Sequence, residues 1–326
     1  MNRKSLHAII VTFVACAYPA FAHAAAPVYP ERPVRLVLGF APGGTSDAIA
    51  RILAPKLHEA LGKPWVVDNR GGASGNIATE IVARATPDGH TILLALSSFI
   101  TVNPLIFKLP VNVDKDLQPV TMLAASQYML VAHASLKTST LKEFIEHAKA
   151  QKGALNYASA GAGSPHHLAA ELLKLRAGIS MTHVPYKGGG PAAAAILGNE
   201  VQVLFGSLAS LHPHVKTGRI RALGMSGLTR SLQAPEVPTV AESGFPGFDV
   251  TSWFGLFMPA GAPAPIVKTV HDTTTRLLAM PDVRTPIERV GLDIMNLDGK
   301  HLAAQIKTET ATWSDLLKRV NIGKID

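Results

Sequence analysis

The chain is nearly devoid of cysteine, since its 326 residues include only Cys16. Cys16 falls in an N-terminal segment that we expect to be removed, so the remaining chain should contain no disulfide bond and no reactive thiolate. In an oxidising compartment its stability must then come from an apolar core. A lipoprotein cleaved before Cys16 is a less favoured alternative, because residues 13–15 match such a cleavage site poorly.

Charged residues are also few, at 17% against 47% hydrophobic residues. This balance is typical of a compact globular chain and not of a disordered one. The formal net charge is +8, but the lysines and arginines are scattered and form no block with interleaved aromatic residues. The pattern argues against a nucleic-acid partner, whereas a basic surface is compatible with the attraction of small anions.

The N-terminus has the features of a secretory signal peptide. Residues 3–4 are basic, residues 6–17 form an apolar run too short for a stable membrane anchor, and Ala22-His23-Ala24 offers a cleavage site. We therefore assign residues 1–24 to a signal peptide and expect an exported, periplasmic protein. No later segment is long and apolar enough to be a membrane helix.

Strand-like and helix-like segments alternate along the rest of the chain. Val34–Leu38 and Thr91–Leu96 read as buried strands, and a helix is predicted between them over residues 46–61. This order predicts a mostly parallel sheet with helices on both faces. A second series of the same kind follows residue 126, and a segment rich in proline and glycine over residues 235–249 forms a second crossover.

The predicted organisation is two domains joined by these two crossovers. Domain 1 comprises residues 25–125 and 249–326, and domain 2 comprises residues 126–248. The C-terminal part of the chain is thus expected to return to the first domain.

The most informative segment is the junction after the first predicted strand. The strand stops at Gly39, a Pro42-Gly43-Gly44 turn follows, and Thr45-Ser46-Asp47 opens a helix. Such a junction presents free backbone N–H groups and the positive end of a helix dipole, which suits an anion. Asp47 fits best as a first-turn acid that stabilises its own helix, and a ligand contact is the alternative.

Three further segments that follow predicted strands are also rich in glycine or hydroxyl residues, namely 71–76, 97–98 and 159–166. Ligands of open α/β sheets bind beyond the carboxyl ends of the strands, where all four segments should meet. Because these segments are nearly free of lysine and arginine, an anion would be held by backbone N–H groups, hydroxyls and helix dipoles. Each segment alone fits an ordinary glycine turn with a helix cap, but the four together favour a ligand site.

Metal and cofactor chemistry is disfavoured. His167 and Glu171 are four residues apart, but no third ligand is evident nearby, so His166 and His167 fit better as a pair at a helix start. Tyr186-Lys187-Gly188 lacks the residue order of a phosphate loop, although Lys187 would place a positive charge at the rim of a cleft. We expect neither a metal nor a cofactor.

The chain resembles the Bug receptors, the extracytoplasmic solute receptors of tripartite tricarboxylate transporters, over essentially its whole mature length. Seven motifs carry the resemblance in order: Tyr29-Pro30-x-Arg32-Pro33-Val34-x-Leu36-Val37, Phe40-x-Pro42-Gly43-Gly44-x-x-Asp47, Val67-x-Asn69-Arg70-x-Gly72-Ala73-x-Gly75, Pro87-Asp88-Gly89-x-Thr91, Tyr157-x-Ser159-x-Gly161-x-Gly163-Ser164, His183-Val184-Pro185-Tyr186-Lys187-Gly188 and Pro238-Thr239-x-x-Glu242-x-Gly244.

The resemblance implies a two-domain periplasmic-binding-protein fold, type II-like, with the two crossovers as its hinge. Each domain would hold a mixed, mostly parallel sheet flanked by helices. It also implies that the solute is a small carboxylate or dicarboxylate. The turn at 42–44 and the loop at 159–164 would grip it from opposite domains, largely through backbone groups and water.

The loops and the resemblance together define a set of predicted ligand-binding residues. They are Phe40, Ala41, Pro42, Gly43, Gly44, Ser46, Asp47, Ser74, Ser97, Ser98, Ser159, Gly161, Ala162, Gly163, Ser164, Tyr186, Lys187 and Ser207.

We expect a monomeric periplasmic receptor, and not an enzyme, that captures a small organic acid, a di- or aromatic carboxylate. It would deliver this solute to the membrane permease subunits of a tripartite tricarboxylate transporter. A ligand-loaded sensor partner of a membrane kinase is an alternative, because it would share the site and differ only at its surface. An exported ester hydrolase is less favoured, because it needs a nucleophile beside a base and no recognisable arrangement is present.

Overall fold

The computed structural model describes residues 29–231 and 233–319. The predicted signal peptide, residues 1–24, lies outside the described residues. The strands are β1 Val34–Leu38, β2 Trp65–Asn69, β3 Thr91–Leu96, β4 Leu117–His133, β5 Asn156–Ser159, β6 Thr182–Pro185, β7 Val203–Ser207, β8 Ile220–Met225, β9 Thr251–Pro259 and β10 Asp293–Asp298. The helices are α1 Thr45–Leu61, α2 Asn76–Ala83, α3 Ser97–Thr101, α4 Asn103–Ile106, α5 Val113–Asp116, α6 Leu141–Gln151, α7 Pro165–Ala177, α8 Gly189–Leu197, α9 Leu208–Lys216, α10 Ala264–Leu278, α11 Pro281–Arg289 and α12 Gly299–Arg319.

Within the described ranges the strands form a mixed sheet in the order β2-β1-β3-β9-β4-β7-β5-β6, and β8 and β10 also pair with β4. The outer parts are parallel, since β1 pairs with β2 and β3, and β5 pairs with β6 and β7. The centre is antiparallel, where β4 lies between β9 and β7. Parallel strands bring the carboxyl ends of β1, β2 and β3 to one edge of the first half, and those of β5, β6 and β7 to one edge of the second.

Strand β4 runs through both halves of the sheet. Its residues Leu117–Gln127 pair with β9, and its residues Tyr128–Ala132 pair with β7. From the sequence, residues 120–124 and 128–132 read as two separate extended segments, but in the structure they are parts of one strand. Nearly all its side chains are buried, as expected for a strand with a paired neighbour on each side and helices over its faces.

The sequence does not predict α9, β8 and β10, among other elements. Helix α9 contains Pro213, a residue that normally ends a helix. Strand β10 is rich in aspartate and asparagine, which are depleted in strands, and it pairs with β4 across an irregularity between Ile294 and Leu297. Its partner strand, and not its own composition, fixes its conformation.

The C-terminal helix α12 contacts the cores of both halves. Leu302 is buried in the core of the first half, whereas Trp313 is buried in the core that contains Tyr157 of the second half. The predicted domain boundaries stay a prediction. No helix of residues 29–231 and 233–319 combines the length and the apolar character that spanning a membrane requires.

A buried carboxylate lies where α12 passes from one core to the other. Glu309 accepts hydrogen bonds from Trp253 Nε1 at 2.6 Å, Trp313 Nε1 at 3.0 Å and Thr101 Oγ1 at 3.0 Å. Burial raises the pKa of Glu309, although these three donors favour its charged form. The carboxylate of Glu309 thus links α3, β9 and α12 through hydrogen bonds.

The ring of Phe99 packs between the glycine backbones that follow β1 and β2. A Cβ atom on Gly39 or on Gly75 would overlap this ring, and Gly75 also has a φ of +90°. Phe99 itself is buried and stands 5.2 Å from the ring of Phe40, measured between centroids. Glycine is therefore required at both positions for the two loops to approach α3.

We predict that Gly75→Ala lowers the free energy of unfolding by about 2–4 kcal/mol, because overpacking adds to the strain of a left-handed alanine. Gly62→Ala is the matched control, because Gly62 has a φ of +77° with open space around a Cβ. Its cost should be about 1–2 kcal/mol. Urea denaturation followed by fluorescence would measure both, and equal losses for the two variants would contradict the packing argument.

Candidate functional site

The turn after β1 is held by Asp47. Its Oδ2 accepts a hydrogen bond from the backbone N–H of Gly43 at 3.0 Å and another from Arg51 Nε at 2.8 Å. The Arg51 hydrogen bond is the main reason that the pKa of Asp47 lies below its ordinary value, with the Gly43 N–H as a further cause. These two bonds lie within the turn and helix of Asp47, whereas its Oδ1 is buried with no partner among the described residues. A role of Asp47 as a ligand contact stays a prediction.

The exposed turn itself leaves donors free for a ligand. Helix α1 begins after Gly44 with no side-chain cap, so no side chain occupies its orphan N–H groups. Phe40 O accepts a hydrogen bond from Asn69 Nδ2 at 3.0 Å, which ties the turn to the end of β2. Residues 41–44 are exposed, whereas Ser46 is buried behind them.

The loop after β2 touches the loop after β5. Ser74 Oγ donates a hydrogen bond to the carbonyl of Ala162 at 3.3 Å. A Cβ atom on Gly161 would lie 3.9 Å from the same hydroxyl. Two of the predicted ligand loops thus meet across the space between the halves.

The structure corrects the prediction of a loop at Ser97-Ser98. Helix α3 begins at Ser97 directly after β3, and both serines are buried. The carbonyl of Ser97 accepts a hydrogen bond from Thr101 Oγ1 at 3.1 Å. Strand β3 leads directly into α3 without a turn. Phe99 and Ile100 of α3 are buried in the same core as the side chains of β3.

The hydroxyls of the loop after β5 shape the loop itself. Ser159 Oγ accepts a hydrogen bond from the N–H of Gly161 at 3.1 Å, and Ser164 Oγ donates to the Gly161 carbonyl at 2.7 Å. Ser164 Oγ also caps α7 by accepting from the N–H of His167 at 3.4 Å. Gly163 packs against Ile106 of α4 so closely that a Cβ atom would clash. The conformation of this loop is therefore fixed by its own hydrogen bonds and by packing against α4.

The other three predicted residues are Tyr186, Lys187 and Ser207. The backbone N–H of Tyr186 bonds to Ser159 O at 2.9 Å, but its hydroxyl donates to Glu200 Oε2 at 3.2 Å. Lys187 is exposed. Ser207 Oγ lies 2.6 Å from Ser210 Oγ in the first turn of α9. The ligand-binding roles of these residues stay predictions.

Asn103 is a residue that sequence reasoning missed. Its Nδ2 donates to the carbonyl of Ser74 at 2.9 Å and to Asn76 Oδ1 at 2.6 Å, so that it fixes the loop after β2. Its Oδ1 is buried with no partner among the described residues. The one available signal is the Asn103-Pro104 pair, which marks a helix start.

The histidines of α7 lie in apolar surroundings. Burial lowers the pKa of His166 to about 4, and its ring packs 4.8 Å from the ring of Tyr128. Burial also lowers the pKa of His167. In the described part of the chain, no group of three or more histidine, cysteine, aspartate or glutamate residues is placed to hold a metal ion.

One serine–histidine contact bears on the hydrolase alternative. Ser159 Oγ lies 2.6 Å from His183 Nε2, within the distance that a nucleophile and its base require. Ser159 has no exposed surface, however, and its hydroxyl also bonds to both backbone groups of Gly161. A substrate could not reach this oxygen, so the contact is structural.

Comparison with known proteins shows which family the chain resembles. A family model described as the tripartite tricarboxylate transporter family receptor matches residues 49–322. The chain is 39% identical to the protein BugT of Bordetella pertussis over 269 residues, which is 82% of each chain.

Solved structures of related proteins have the same fold as this chain. An R. palustris protein solved with adipate superimposes with a TM-score of 0.86 at 30% identity, covering 91% of this chain and 100% of that one. MatC from Rhodopseudomonas palustris, solved with bound malate, has a TM-score of 0.82 at 32% identity, covering 89% and 100%. These matches confirm the predicted receptor family and the predicted binding-protein fold, and they identify a solute-binding receptor and not an enzyme.

We predict that Asp47→Ala lowers the free energy of unfolding by about 1–3 kcal/mol, because the Gly43 N–H loses a charged acceptor. Arg51→Ala is the control, because its side chain is 58% exposed and an exposed ion pair contributes at most about 1 kcal/mol. Denaturant unfolding would measure both, and a larger loss for Arg51→Ala would contradict the assigned role.

The pH dependence gives a second check on the same variant. Because the folded protein lowers the pKa of Asp47, its stabilisation is complete at neutral pH and is lost as the pH falls below about 4. The difference between wild type and Asp47→Ala should therefore shrink only in that acidic range.

Proposed function

We propose that this chain, which belongs to the tripartite tricarboxylate transporter receptor family, captures a small organic dicarboxylate between its two halves. It then delivers the solute to the membrane permease subunits of a tripartite transporter. The single observation that carries the proposal is the meeting of the Ser74 and Ala162 loops, which come from opposite halves of the sheet. A solute held there contacts both halves at once.

The charge of the loops favours an anion that is bound by neutral groups. The turn at 41–44 and the loop at 159–164 contain no lysine or arginine. Helices α1 and α2 begin after Gly44 and Gly75 with no side-chain cap, so each presents backbone N–H groups and the positive end of its dipole. Two carboxylate groups at the ends of one solute would match two such sets of donors. The ligands in the structures of the two relatives, adipate and malate, are both dicarboxylates.

Capture requires that the two halves close. A solute that contacts both halves only when they are together stabilises that arrangement by its differential affinity. The structure has the loops in contact, which is the arrangement that a bound solute would favour. Family membership and the predicted signal peptide support a periplasmic location and a permease as the recipient.

A thermal-shift screen of mono-, di- and tricarboxylates, aliphatic and aromatic, tests the solute class. Amino acids and sugars serve as controls. We expect dicarboxylates to raise the melting temperature, with a stabilisation of about 2.7 kcal/mol when the ligand is at one hundred times its Kd. A cooperative melt that no carboxylate shifts would contradict the proposal, once native mass spectrometry has shown that no co-purified ligand occupies the protein.

Gly43→Val tests the site. Gly43 has a φ of +91° with open space around a Cβ, so a valine meets no steric clash but strains the backbone, and it blocks the close approach of a carboxylate to the turn. We predict that affinity for the best carboxylate of the screen falls at least about tenfold, or 1.4 kcal/mol. Gly62→Val is the matched control, because Gly62 has a similar φ of +77° and equally open space, away from the turn. Unchanged affinity in a folded Gly43→Val protein would refute the site.

A further inference from the structure

We propose that His167 and His183 are positioning residues that hold the loop Ser159–Ser164 in its observed form, and that the loop keeps this form only while His167 is a neutral imidazole. The loop should therefore loosen when the protein is acidified. A loosened loop should also capture the solute more weakly, and this consequence rests on the proposed function.

Each imidazole binds one end of the loop. His167 Nδ1 accepts a hydrogen bond from the backbone N–H of Gly163 at 3.1 Å. His183 Nε2 lies 2.6 Å from Ser159 Oγ. The two rings stack on each other with centroids 4.1 Å apart and an interplanar angle of 11°. A pair of stacked rings thus spans the base of the loop, whose tip carries the Ala162 carbonyl that meets Ser74.

The Gly163 bond fixes the state of His167. A neutral imidazole has one nitrogen that accepts and one that donates, whereas the protonated ring donates at both nitrogens and accepts at neither. Because Nδ1 accepts from Gly163, His167 must be neutral with its proton on Nε2. Protonation at Nδ1 would place two donors face to face and break the bond.

The stacking of the rings couples the protonation of His183 to that of His167. Two imidazolium rings 4.1 Å apart would repel each other, so protonation of either ring opposes protonation of the other. Burial, and then the neighbouring His167, lower the pKa of His183 to about 4. Burial lowers the pKa of His167 as well.

The surrounding charges do not offset this effect. Glu171 and Lys174, also on α7, face the pair, but Glu171 Oε1 accepts from Lys174 Nζ at 2.6 Å and from the hydroxyl of Tyr157 on β5. The carboxylate is thus already neutralised by a lysine of its own helix. The ring of Tyr157 stacks 4.9 Å from that of His183 and 6.3 Å from that of His167, and it adds no charge, because burial raises its pKa. The pair lies in a pocket that favours neutral rings.

The direction of the pH effect follows from these pKa values. In the observed loop the histidines resist protonation, whereas in a released loop they would titrate near their ordinary value of about 6.5. The released form therefore binds more protons as the pH falls below about 6.5, and its population rises. Above that pH the loop keeps its full stability.

The exchange of the Gly163 amide proton, followed by NMR in the solute-free protein, tests the proposal. We expect the protection factor of this amide, corrected for the intrinsic exchange rate, to fall at least about tenfold between about pH 7 and about pH 5. His167→Phe should lose the protection at both pH values. The double variant His167→Asn with His183→Gln keeps polar groups in place of both nitrogens but cannot titrate, so its protection should change less than about twofold.

His58→Asn is the control, because His58 is exposed on the last turn of α1; it should reproduce the wild-type pH profile. Retention of full protection in a folded His167→Phe protein would overturn the positioning role. A pH-independent wild type, or a double variant that keeps the wild-type profile, would overturn the requirement for a neutral His167. No solute enters this measurement, so its outcome and that of the carboxylate screen are separate.

Discussion

The structure depends on one strand that belongs to two sheet halves. Strand β4 is 17 residues long, and its pairing changes from β9 to β7 between Gln127 and Tyr128. Each half is built on this shared strand, so the relative position of the two sets of loops is fixed by its course. Helix α12 provides a second connection, with Glu309 bonded to both Trp253 and Trp313. Closure on a solute must therefore be a bend of continuous elements rather than a movement of separate bodies.

The hydroxyl-rich loops use their side chains mainly on themselves. Asp47, Ser159 and Ser164 bond to backbone groups of their own loops, and His167 does the same for Gly163. In the proposed site, the backbone N–H groups at the N-terminal end of α1 would then bind the ligand. A binding surface of this kind is set by loop geometry and not by the identity of exposed side chains. Relatives with one fold can then accept different acids, such as the adipate and malate of the two solved structures.

Strands β1 and β3 could be predicted from the sequence because their signals are local. Val34–Leu38 and Thr91–Leu96 are short, mostly apolar segments that end at turn or helix signals, and both have the predicted bounds. Strand β10 could not be predicted, because its pairing with β4 depends on residues that are far away in the chain. The helix at Ser97 was missed for a related reason, since burial of Phe99 replaces the expected turn.

The candidate site likewise combines loops that the local sequence predicts with contacts that it does not predict. The loops after β1, β2 and β5 were found from glycines, hydroxyls and the order of the elements, which are local features. The contact between Ser74 and Ala162 spans 88 residues, and the one between Ser159 and His183 spans 24. Neither separation matches the repeat of a helix or a strand, so neither contact can be recognised in the sequence. The bonds that determine how the loops meet therefore become visible only in three dimensions.

Distance measurement between the two halves tests the central claim most directly. Ala60 on α1 and Ala150 on α6 are exposed, and with Cys16→Ser the chain has no other cysteine, so spin labels at Ala60→Cys and Ala150→Cys would be unique. We predict that a saturating dicarboxylate from the screen shortens and narrows the distance distribution measured by double electron–electron resonance. An unchanged distribution at a concentration that calorimetry shows to be saturating would contradict capture between the two halves.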